Sequence, residues 1–129
     1  MRILFVEDNQ LNRIVAKDFL EKEFNNLVFL ENGKQCIEYF NNNNVDVIVT
    51  DLYMPELSGF EIIKQIRNIQ TKDNYTYIIA LTSDETDKTK QLAFQLGVDD
   101  FITKPISFDE IASRIKVGLR LVETINKGK

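Results

Sequence analysis

The sequence contains no histidine and no tryptophan, and only one cysteine among its 129 residues. Without histidine the chain can form neither a Ser-His-Asp triad nor most zinc sites, and it cannot donate a phosphoryl group from a phosphohistidine of its own. The single cysteine, Cys36, cannot form a disulfide within the chain. We therefore expect a reduced, cytoplasmic setting and a Cys36 side chain that acts as a small buried hydrophobe.

Long apolar runs and a basic surface are absent as well. No stretch approaches the roughly 20 apolar residues that span a bilayer, so we expect no membrane insertion. The formal net charge is −4 and no run of lysine or arginine occurs, which argues against direct binding to nucleic acid. The length and the 43% share of hydrophobic residues favour a single domain over residues 1–129, with the last helix ending near residues 123–126 and no effector domain.

Five short apolar runs are the clearest structural signal. The first four are nearly continuous rather than alternating, which is typical of strands that are covered on both faces of a parallel sheet. The runs are Ile3–Val6, Leu27–Leu30, Val45–Val49, Ile78–Leu81 and Val98–Ile102. Strand and helix alternate five times, which predicts an α/β fold: a flavodoxin-like, doubly wound (βα)5 domain with a five-stranded parallel sheet in the order 2-1-3-4-5.

The segments between these runs have helical spacing, and several residues mark where the helices begin and end. Two capping boxes, "SGFE" at 58–61 and "SFDE" at 107–110, predict helix starts, and Gly97 predicts a helix end. The segment "TKDN" at 71–74 is predicted to be a loop. We expect three apolar stripes to face the core. They are Leu11, Ile14, Val15 and Phe19; Ile62, Ile63, Ile66 and Ile69; and Phe108, Ile111, Ala112, Ile115, Leu119 and Val122.

Acidic residues follow the two strands that flank the point where the predicted strand order reverses, which is where such sheets bind ligands. Glu7 and Asp8 follow the first strand, and Asp51 follows the third. At about 5 Å and an effective dielectric of 20, three charged pairs would repel by roughly 10 kcal/mol, which is comparable to a domain's whole net stability. A hard cation, Mg²⁺ above all, would relieve this repulsion most directly. Taken singly, Asp8 could instead cap the helix that begins near Gln10, Glu7 could be solvated, and Asp51 could be a polar strand end.

A hydroxyl and a cation follow the last two strands. Thr82 ends the run "IIALT", and Lys104 follows the fifth apolar run, within "DDFITKP". Facing a cluster of carboxylates and metal, these two groups would suit a bound phosphoryl group. The alternative is that Thr82 opens a capping box, Thr82-x-x-Glu85, and that Lys104 is an ordinary solvated lysine.

These blocks together resemble the response-regulator receiver domain of two-component signalling, over nearly the whole chain. They are the pair Glu7–Asp8, Asp51 within "DLYMPELSG", Thr82 within "ALTS", and Lys104–Pro105 after "GVDDFIT". The resemblance implies that Asp51 accepts a phosphoryl group from a sensor histidine kinase or a histidine phosphotransfer protein. It implies a signalling domain rather than an enzyme, although one that promotes its own phosphorylation and dephosphorylation.

The resemblance also implies a role for each residue around Asp51. Asp8, Asp51 and the backbone carbonyl of Tyr53 would bind Mg²⁺ directly, and Glu7 would bind it through water, with Mn²⁺ as a substitute. Lys104 would hold a phosphoryl oxygen, and the peptide bond between Lys104 and Pro105 would be cis.

Switching and tuning residues follow from the same resemblance. Thr82 would move toward the phosphoryl group and Phe101 would swing inward, unless Phe101 is simply a half-exposed strand aromatic. Tyr53 and Asp84 would tune the attack of water on the phosphoaspartate. The segment "DETDKTKQ" at 84–91 has few apolar residues, so we expect the fourth helix to have low local stability and to rearrange together with strand 5 and helix 5. That face would signal to a downstream protein that the sequence does not identify.

Other readings stay open at this point. An unphosphorylated pseudo-receiver could serve as an interaction scaffold. A haloacid-dehalogenase-like phosphatase would need a second aspartate two residues after Asp51, where this chain has Tyr53. A flavin or nucleotide binder would need hydroxyl or glycine N–H groups in the first loop, where "EDNQ" presents two acids. A second stripe on the last helix, formed by Val117, Leu121 and Ile125, suggests a weak homodimer.

Overall fold

Five parallel strands form one sheet in the computed structural model, which describes residues 1–70, 74–84 and 86–127. Their order is 2-1-3-4-5, and every neighbouring pair is parallel. The strands are β1 (Ile3–Val6), β2 (Leu27–Leu30), β3 (Val47–Asp51), β4 (Tyr77–Thr82) and β5 (Asp100–Thr103). The predicted fold and strand order are confirmed. Residues 71–73 of the predicted "TKDN" loop, and Glu85 of the suggested capping box, lie outside the described residues.

Within the described part of the chain, five helices connect and follow the strands. They are α1 (Gln10–Leu20), α2 (Gly33–Asn42), α3 (Gly59–Ile69), α4 (Asp87–Leu96) and α5 (Phe108–Lys127). The backbone N–H of Glu61 donates to Ser58 Oγ and that of Glu110 donates to Ser107 Oγ, which confirms the predicted helix starts and the hydroxyl half of each capping box. Gly97 closes α4 with φ 112°, a left-handed conformation that glycine adopts at little cost. No helix within the described residues is long and apolar enough to cross a membrane.

A hydrophobic core lies on each face of the sheet. Ile3 and Phe5 pack on the side of α1 and α5, whereas Leu4 and Val6 pack on the side of α2, α3 and α4. Successive strand residues point to opposite faces, so a sheet covered on both faces needs continuous apolar runs. Cys36 is fully buried in the second core, as predicted.

The predicted core stripe on α1 is wrong for three of its four residues, because only Phe19 of the four packs against the core. Leu11, Ile14 and Val15 are 68%, 56% and 47% exposed, and the helix instead buries Ala16 and Leu20. The small side chain of Ala16 lets the helix lie close to the sheet, and Leu20 falls on the same face one turn later. The apolar residues of the first two turns therefore form a surface. The stripes on α3 and α5 do face the core, except that Ile69 is 38% exposed.

Arg67 of α3 joins three elements at the edge of the sheet opposite to the strands' carboxyl ends. Its guanidinium donates to Asp99 Oδ2 at 2.7 Å, to the Thr76 carbonyl at 2.7 Å and to the Gly97 carbonyl at 2.9 Å. The Tyr75 hydroxyl also donates to Asp99. Burial and this hydrogen bond raise the pKa of Tyr75 to about 12. This network holds the starts of β4 and β5 together. The carboxyl ends of the same strands, at the opposite edge, form part of the site described next.

Candidate functional site

Asp51 is the last residue of β3, and its carboxylate is held from two sides. Lys104 Nζ donates to Oδ2 at 2.5 Å, and the backbone N–H of Tyr53 donates to Oδ1 at 3.1 Å. The residue is only 7% exposed, because β1 and β4 flank β3 in the sheet. The buried strand β3 therefore ends in a carboxylate at the carboxyl edge of the sheet, and the Lys104 ammonium group contacts it directly.

Gly59, the first residue of α3, lets the helix approach this strand end closely. A Cβ atom at this position would lie 2.2 Å from the Asp51 carbonyl oxygen and 2.6 Å from the Leu52 Cα. Both of these neighbours are backbone atoms, which a small rotation cannot move aside. The position of α3 against the acceptor strand therefore requires glycine, a role that the capping box "SGFE" did not reveal.

Glu7 and Asp8 follow β1 beside Asp51. Glu7 is 5% exposed, and its Oε1 accepts a hydrogen bond from Asn12 Nδ2 at 3.1 Å. Burial, followed by a hydrogen bond with Asp8, raises the pKa of Glu7 above its ordinary value. Asp8 is exposed, and the N-cap of α1 is Asn9, whose side chain accepts from the Asn12 N–H, so Asp8 does not cap the helix.

Lys104 lies after β5 and faces all three carboxylates. Burial lowers its pKa, but the hydrogen bond to Asp51 and the charges of Asp51, Glu7 and Asp8 outweigh it, so the pKa of Lys104 is raised overall. Its ammonium group is therefore charged at neutral pH and offsets part of the predicted repulsion. The peptide bond between Lys104 and Pro105 is cis, as the resemblance implied.

The oxygen donors in this cluster suit a hard divalent cation. Within residues 1–70, 74–84 and 86–127, no three acidic or sulfur side chains converge closely enough to ligate one ion by themselves. The predicted donor set needs no such cage, since it uses the carboxylates of Asp8 and Asp51, one carbonyl and a water on Glu7. Mg²⁺ commonly binds through one or two carboxylates and keeps several waters, so the donor chemistry fits.

Thr82 ends β4 next to the acceptor. It is fully buried, and its Oγ1 accepts a hydrogen bond from the Asp84 N–H at 3.0 Å. The N-cap of α4 is Thr86, whose hydroxyl accepts from the Thr89 N–H, so the suggestion that Thr82 caps this helix is wrong. The hydroxyl of Thr82 therefore belongs to the sheet edge beside Asp51.

The side chain of Tyr53 crosses from the acceptor loop to α4. Its hydroxyl donates to Asp84 Oδ2 at 3.0 Å and lies 3.0 Å from Thr89 Oγ1, while Thr89 itself donates to the same Asp84 oxygen at 2.6 Å. The Tyr53 ring meets Phe60 of α3 edge to face, with ring centroids 5.6 Å apart. Hydrogen bonds from Thr89 and then Thr86 hold the pKa of Asp84 well below its usual range. The sequence predicted both Tyr53 and Asp84 as tuning residues but missed Thr89.

Phe101 lies in β5 and is half-buried against α4. Its ring centroid lies 6.4 Å from that of Phe94, and Lys90 Nζ lies 5.8 Å from the Phe101 ring centroid. The ring therefore already contacts the helix that is expected to rearrange, and its inward swing stays a prediction.

A groove of about 320 Å³ adjoins the cluster between α1 and the connection from β5 to α5. Its walls are mainly apolar and include Val15, Ile106 and Phe108, whereas Glu7 and Lys104 line its polar end. The exposed apolar residues of α1 thus continue into a groove that ends at Glu7 and Lys104, and Lys104 contacts the acceptor.

Comparisons with known proteins agree with this arrangement. A family model described as the response regulator receiver domain matches residues 3–116. The chain is 32% identical over 127 residues to the uncharacterized transcriptional regulatory protein YclJ of Bacillus subtilis, covering 98% of this chain and 54% of YclJ. It is 31% identical over 116 residues to the aerobic respiration control sensor protein ArcB of Escherichia coli, covering 90% of this chain and 15% of ArcB. The chain therefore spans about half the length of the first relative and a small part of the second.

A solved structure of a response regulator is also similar to this chain. The response regulator protein TrrA from Thermotoga maritima, crystallised in complex with Mg(2+)-BeF, superimposes with a TM-score of 0.78. The two chains are 31% identical, and the superposition covers 92% of this chain and 98% of TrrA.

Proposed function

Because the chain belongs to the response-regulator receiver-domain family of two-component systems, we propose that Asp51 is the phosphoacceptor of a conformational switch. The contact between Lys104 Nζ and Asp51 Oδ2 carries this proposal, because it joins the carboxyl ends of β5 and β3 around one buried carboxylate. Phosphoryl transfer needs mainly positioning and charge neutralisation, and this contact supplies both.

In the proposed reaction, an Asp51 carboxylate oxygen attacks the phosphorus of a phosphohistidine on the donor protein. The bond between phosphorus and the imidazole nitrogen breaks, and its electron pair stays on the imidazole, which then takes a proton. Lys104 transfers its contact from the carboxylate to a phosphoryl oxygen, and Thr82 donates a hydrogen bond to another. The product is an acyl phosphate, which water hydrolyses to reset the switch.

We propose that Asp8, Asp51 and the Tyr53 carbonyl hold Mg²⁺ directly and that Glu7 holds it through water, with Mn²⁺ as a substitute. When bound, the ion would supply positive charge opposite the incoming phosphoryl oxygens. That TrrA was crystallised with Mg(2+)-BeF supports this assignment, because the two chains are similar over nearly their whole length.

The phosphodonor is a sensor histidine kinase or a histidine phosphotransfer protein, acting in the cytoplasm. To bring an imidazole to Asp51, the donor must cover the mouth of the site. Leu11, Ile14 and Val15 of α1 are exposed, and Leu11 and Val15 line the groove whose polar end is formed by Glu7 and Lys104. We define these three residues as the α1 face. An exposed apolar patch beside a polar site is typical of a protein-binding surface. The exposure of the α1 face, whose residues have the spacing of a core stripe, therefore supports this face as the place where the donor binds.

The signal leaves through α4, β5 and α5. Only Thr89 and Ala93 of α4 are buried, which leaves few contacts to oppose a displacement of this helix. Movement of Thr82 toward the phosphoryl group would release space for Phe101, and the rearranged face would bind a downstream protein.

The test is incubation with acetyl phosphate and Mg²⁺ followed by measurement of the intact mass. The wild-type protein should gain the mass of one phosphoryl group, and Asp51→Asn should gain none. Asp18→Asn, which changes an exposed aspartate of α1, is the matched control and should behave like the wild type. A wild-type mass that does not change would refute the proposed function.

A further inference from the structure

Tyr53 is held at three points, one on its backbone and two on its side chain, although the residue is 52% exposed. Its backbone N–H is bonded to the acceptor carboxylate, its ring packs edge to face on Phe60, and its hydroxyl contacts Asp84 and Thr89. An exposed tyrosine ordinarily leaves its hydroxyl in water. Here the residue connects the acceptor carboxylate with the connection between β4 and α4, so the ring lies on the α4 side of Asp51.

Thr89 is the buried and anchored member of this group. It is 7% exposed and lies in α4, whereas Asp84 lies in the preceding loop and Tyr53 is half-exposed. A threonine hydroxyl has one proton, and Thr89 gives it to Asp84 Oδ2 at 2.6 Å, the shortest of the three contacts among these side chains. That bond orients the carboxylate that receives the Tyr53 proton. The placement of the ring therefore depends on α4 through Thr89.

We propose that Thr89 is a positioning residue for hydrolysis of the acyl phosphate on Asp51, because with Asp84 it keeps the Tyr53 ring over one side of the cleft and limits the approach of water. The proposal rests on the proposed function, since it needs phosphorylated Asp51. It adds a residue outside the sequence blocks that identify the family.

The step that Thr89 influences is a simple displacement. The oxygen of a water molecule forms a bond to phosphorus, the bond from phosphorus to the Asp51 oxygen breaks, and its electron pair returns to the carboxylate. One proton of the water leaves to solvent, and inorganic phosphate departs. A water molecule must reach the face of the phosphorus opposite the Asp51 oxygen, so a ring fixed beside that path slows the step.

This arrangement links the lifetime of the phosphoryl group to the position of α4. A displacement of α4 carries Thr89 with it and thereby changes the position of Asp84 and Tyr53, to which Thr89 is bonded. The contact between the Asp84 N–H and Thr82 Oγ1 extends the same chain of bonds to the buried residue beside the acceptor. Helix α4, the acceptor loop and the end of β4 are therefore joined through side chains as well as through the backbone.

The test compares the decay of phosphorylated protein in Thr89→Val, Tyr53→Phe and the double variant. Each protein is phosphorylated with acetyl phosphate and Mg²⁺, freed of the donor, and followed by intact mass. Each single variant should lose its phosphoryl group between about twofold and tenfold faster than the wild type, which is the effect of one net hydrogen bond. The double variant should decay no faster than the faster single variant, because both changes break one unit.

Three further variants separate positioning from folding. Thr89→Ser keeps the hydroxyl and should restore the wild-type decay rate. Thr124→Val on α5 and Tyr39→Phe on α2 remove the same groups away from the site and should leave the rate unchanged. If Thr89→Val decays like the wild type, or if the two single effects multiply in the double variant, the positioning role is wrong. A wild-type protein that never gains a phosphoryl group would instead refute the proposed function.

Discussion

Replacement of Gly59 by alanine should disturb both the fold and the acceptor. The added Cβ would meet the Asp51 carbonyl oxygen at 2.2 Å, the Leu52 Cα at 2.6 Å and the Asp51 carbonyl carbon at 2.9 Å. All three are backbone atoms of the acceptor strand and the residue after it, so either α3 or the end of β3 has to shift. Overpacking of this kind costs about 1–3 kcal/mol, and we expect the upper half of that range because no side chain can rotate away.

The chain supplies a matched control in Gly33→Ala. Gly33 is likewise the first residue of a helix after an asparagine or serine N-cap, so the change in helix propensity is the same. A Cβ at Gly33 would meet the Leu57 Cδ2 at 2.7 Å, which a rotation can move, and the Leu57 Cβ at 2.9 Å, which requires a small shift of that loop. The difference between the two variants therefore compares a clash with the acceptor backbone at 2.2 Å with a milder clash that Leu57 can partly relieve.

Two assays measure the result. Urea denaturation should show a loss of about 2–3 kcal/mol for Gly59→Ala and clearly less for Gly33→Ala. Phosphorylation by acetyl phosphate should be slowed by up to about 100-fold in Gly59→Ala, the effect of a displacement near 1 Å at a reacting group. It should be unchanged in Gly33→Ala. Equal stability losses in the two variants, together with wild-type phosphorylation of Gly59→Ala, would refute this reasoning.

Three other predictions concern the surface, the far edge of the sheet and pH. Leu11→Asp on the α1 face should slow transfer from a phosphohistidine donor roughly tenfold but leave phosphorylation by acetyl phosphate unchanged. The control Leu121→Asp on α5 should change neither rate. Equal slowing of Leu11→Asp with both donors would contradict the proposal that the donor binds the α1 face. Arg67→Met should lower the free energy of unfolding by about 3 kcal/mol, because Asp99 loses its buried partner, while the exposed Arg120→Met should have little effect in the same urea titration. The raised pKa of Tyr75 means that its contribution to stability is complete below pH 10 and is lost as the pH rises toward about 12. Tyr75→Phe should therefore reduce the fall in melting temperature between pH 10 and about 12. If melting temperature falls with pH as steeply in this variant as in the wild type, ionisation of Tyr75 is not the cause.

The acceptor and the strand order could be predicted because they depend on features that short sequence segments carry. A continuous apolar run marks a strand covered on both faces, and the residue that ends it lies at the sheet edge wherever the helices pack. Asp51 and Lys104 come together for this reason. The prediction was less exact for strand bounds, since Val45 and Val98 are buried yet precede β3 and β5. An apolar run reports burial rather than backbone pairing.

The remaining features depend on how elements pack, which periodicity does not reveal. The α1 face has the spacing of a core stripe, and the apolar pattern alone does not distinguish a face that packs inward from one that is left exposed. Thr89 becomes informative only when the path from Tyr53 to α4 is known. The choice of Asn9 over Asp8 as the N-cap of α1 separates two adjacent residues that both suit the role.

Mapping of the modified residue by mass spectrometry tests the central claim most directly. After incubation with acetyl phosphate and Mg²⁺, the phosphoryl group should be found on the peptide that contains Asp51, and hydroxylamine should remove it, as it does an acyl phosphate. A phosphoryl group that resists hydroxylamine, or one found on any residue other than Asp51, would contradict the account.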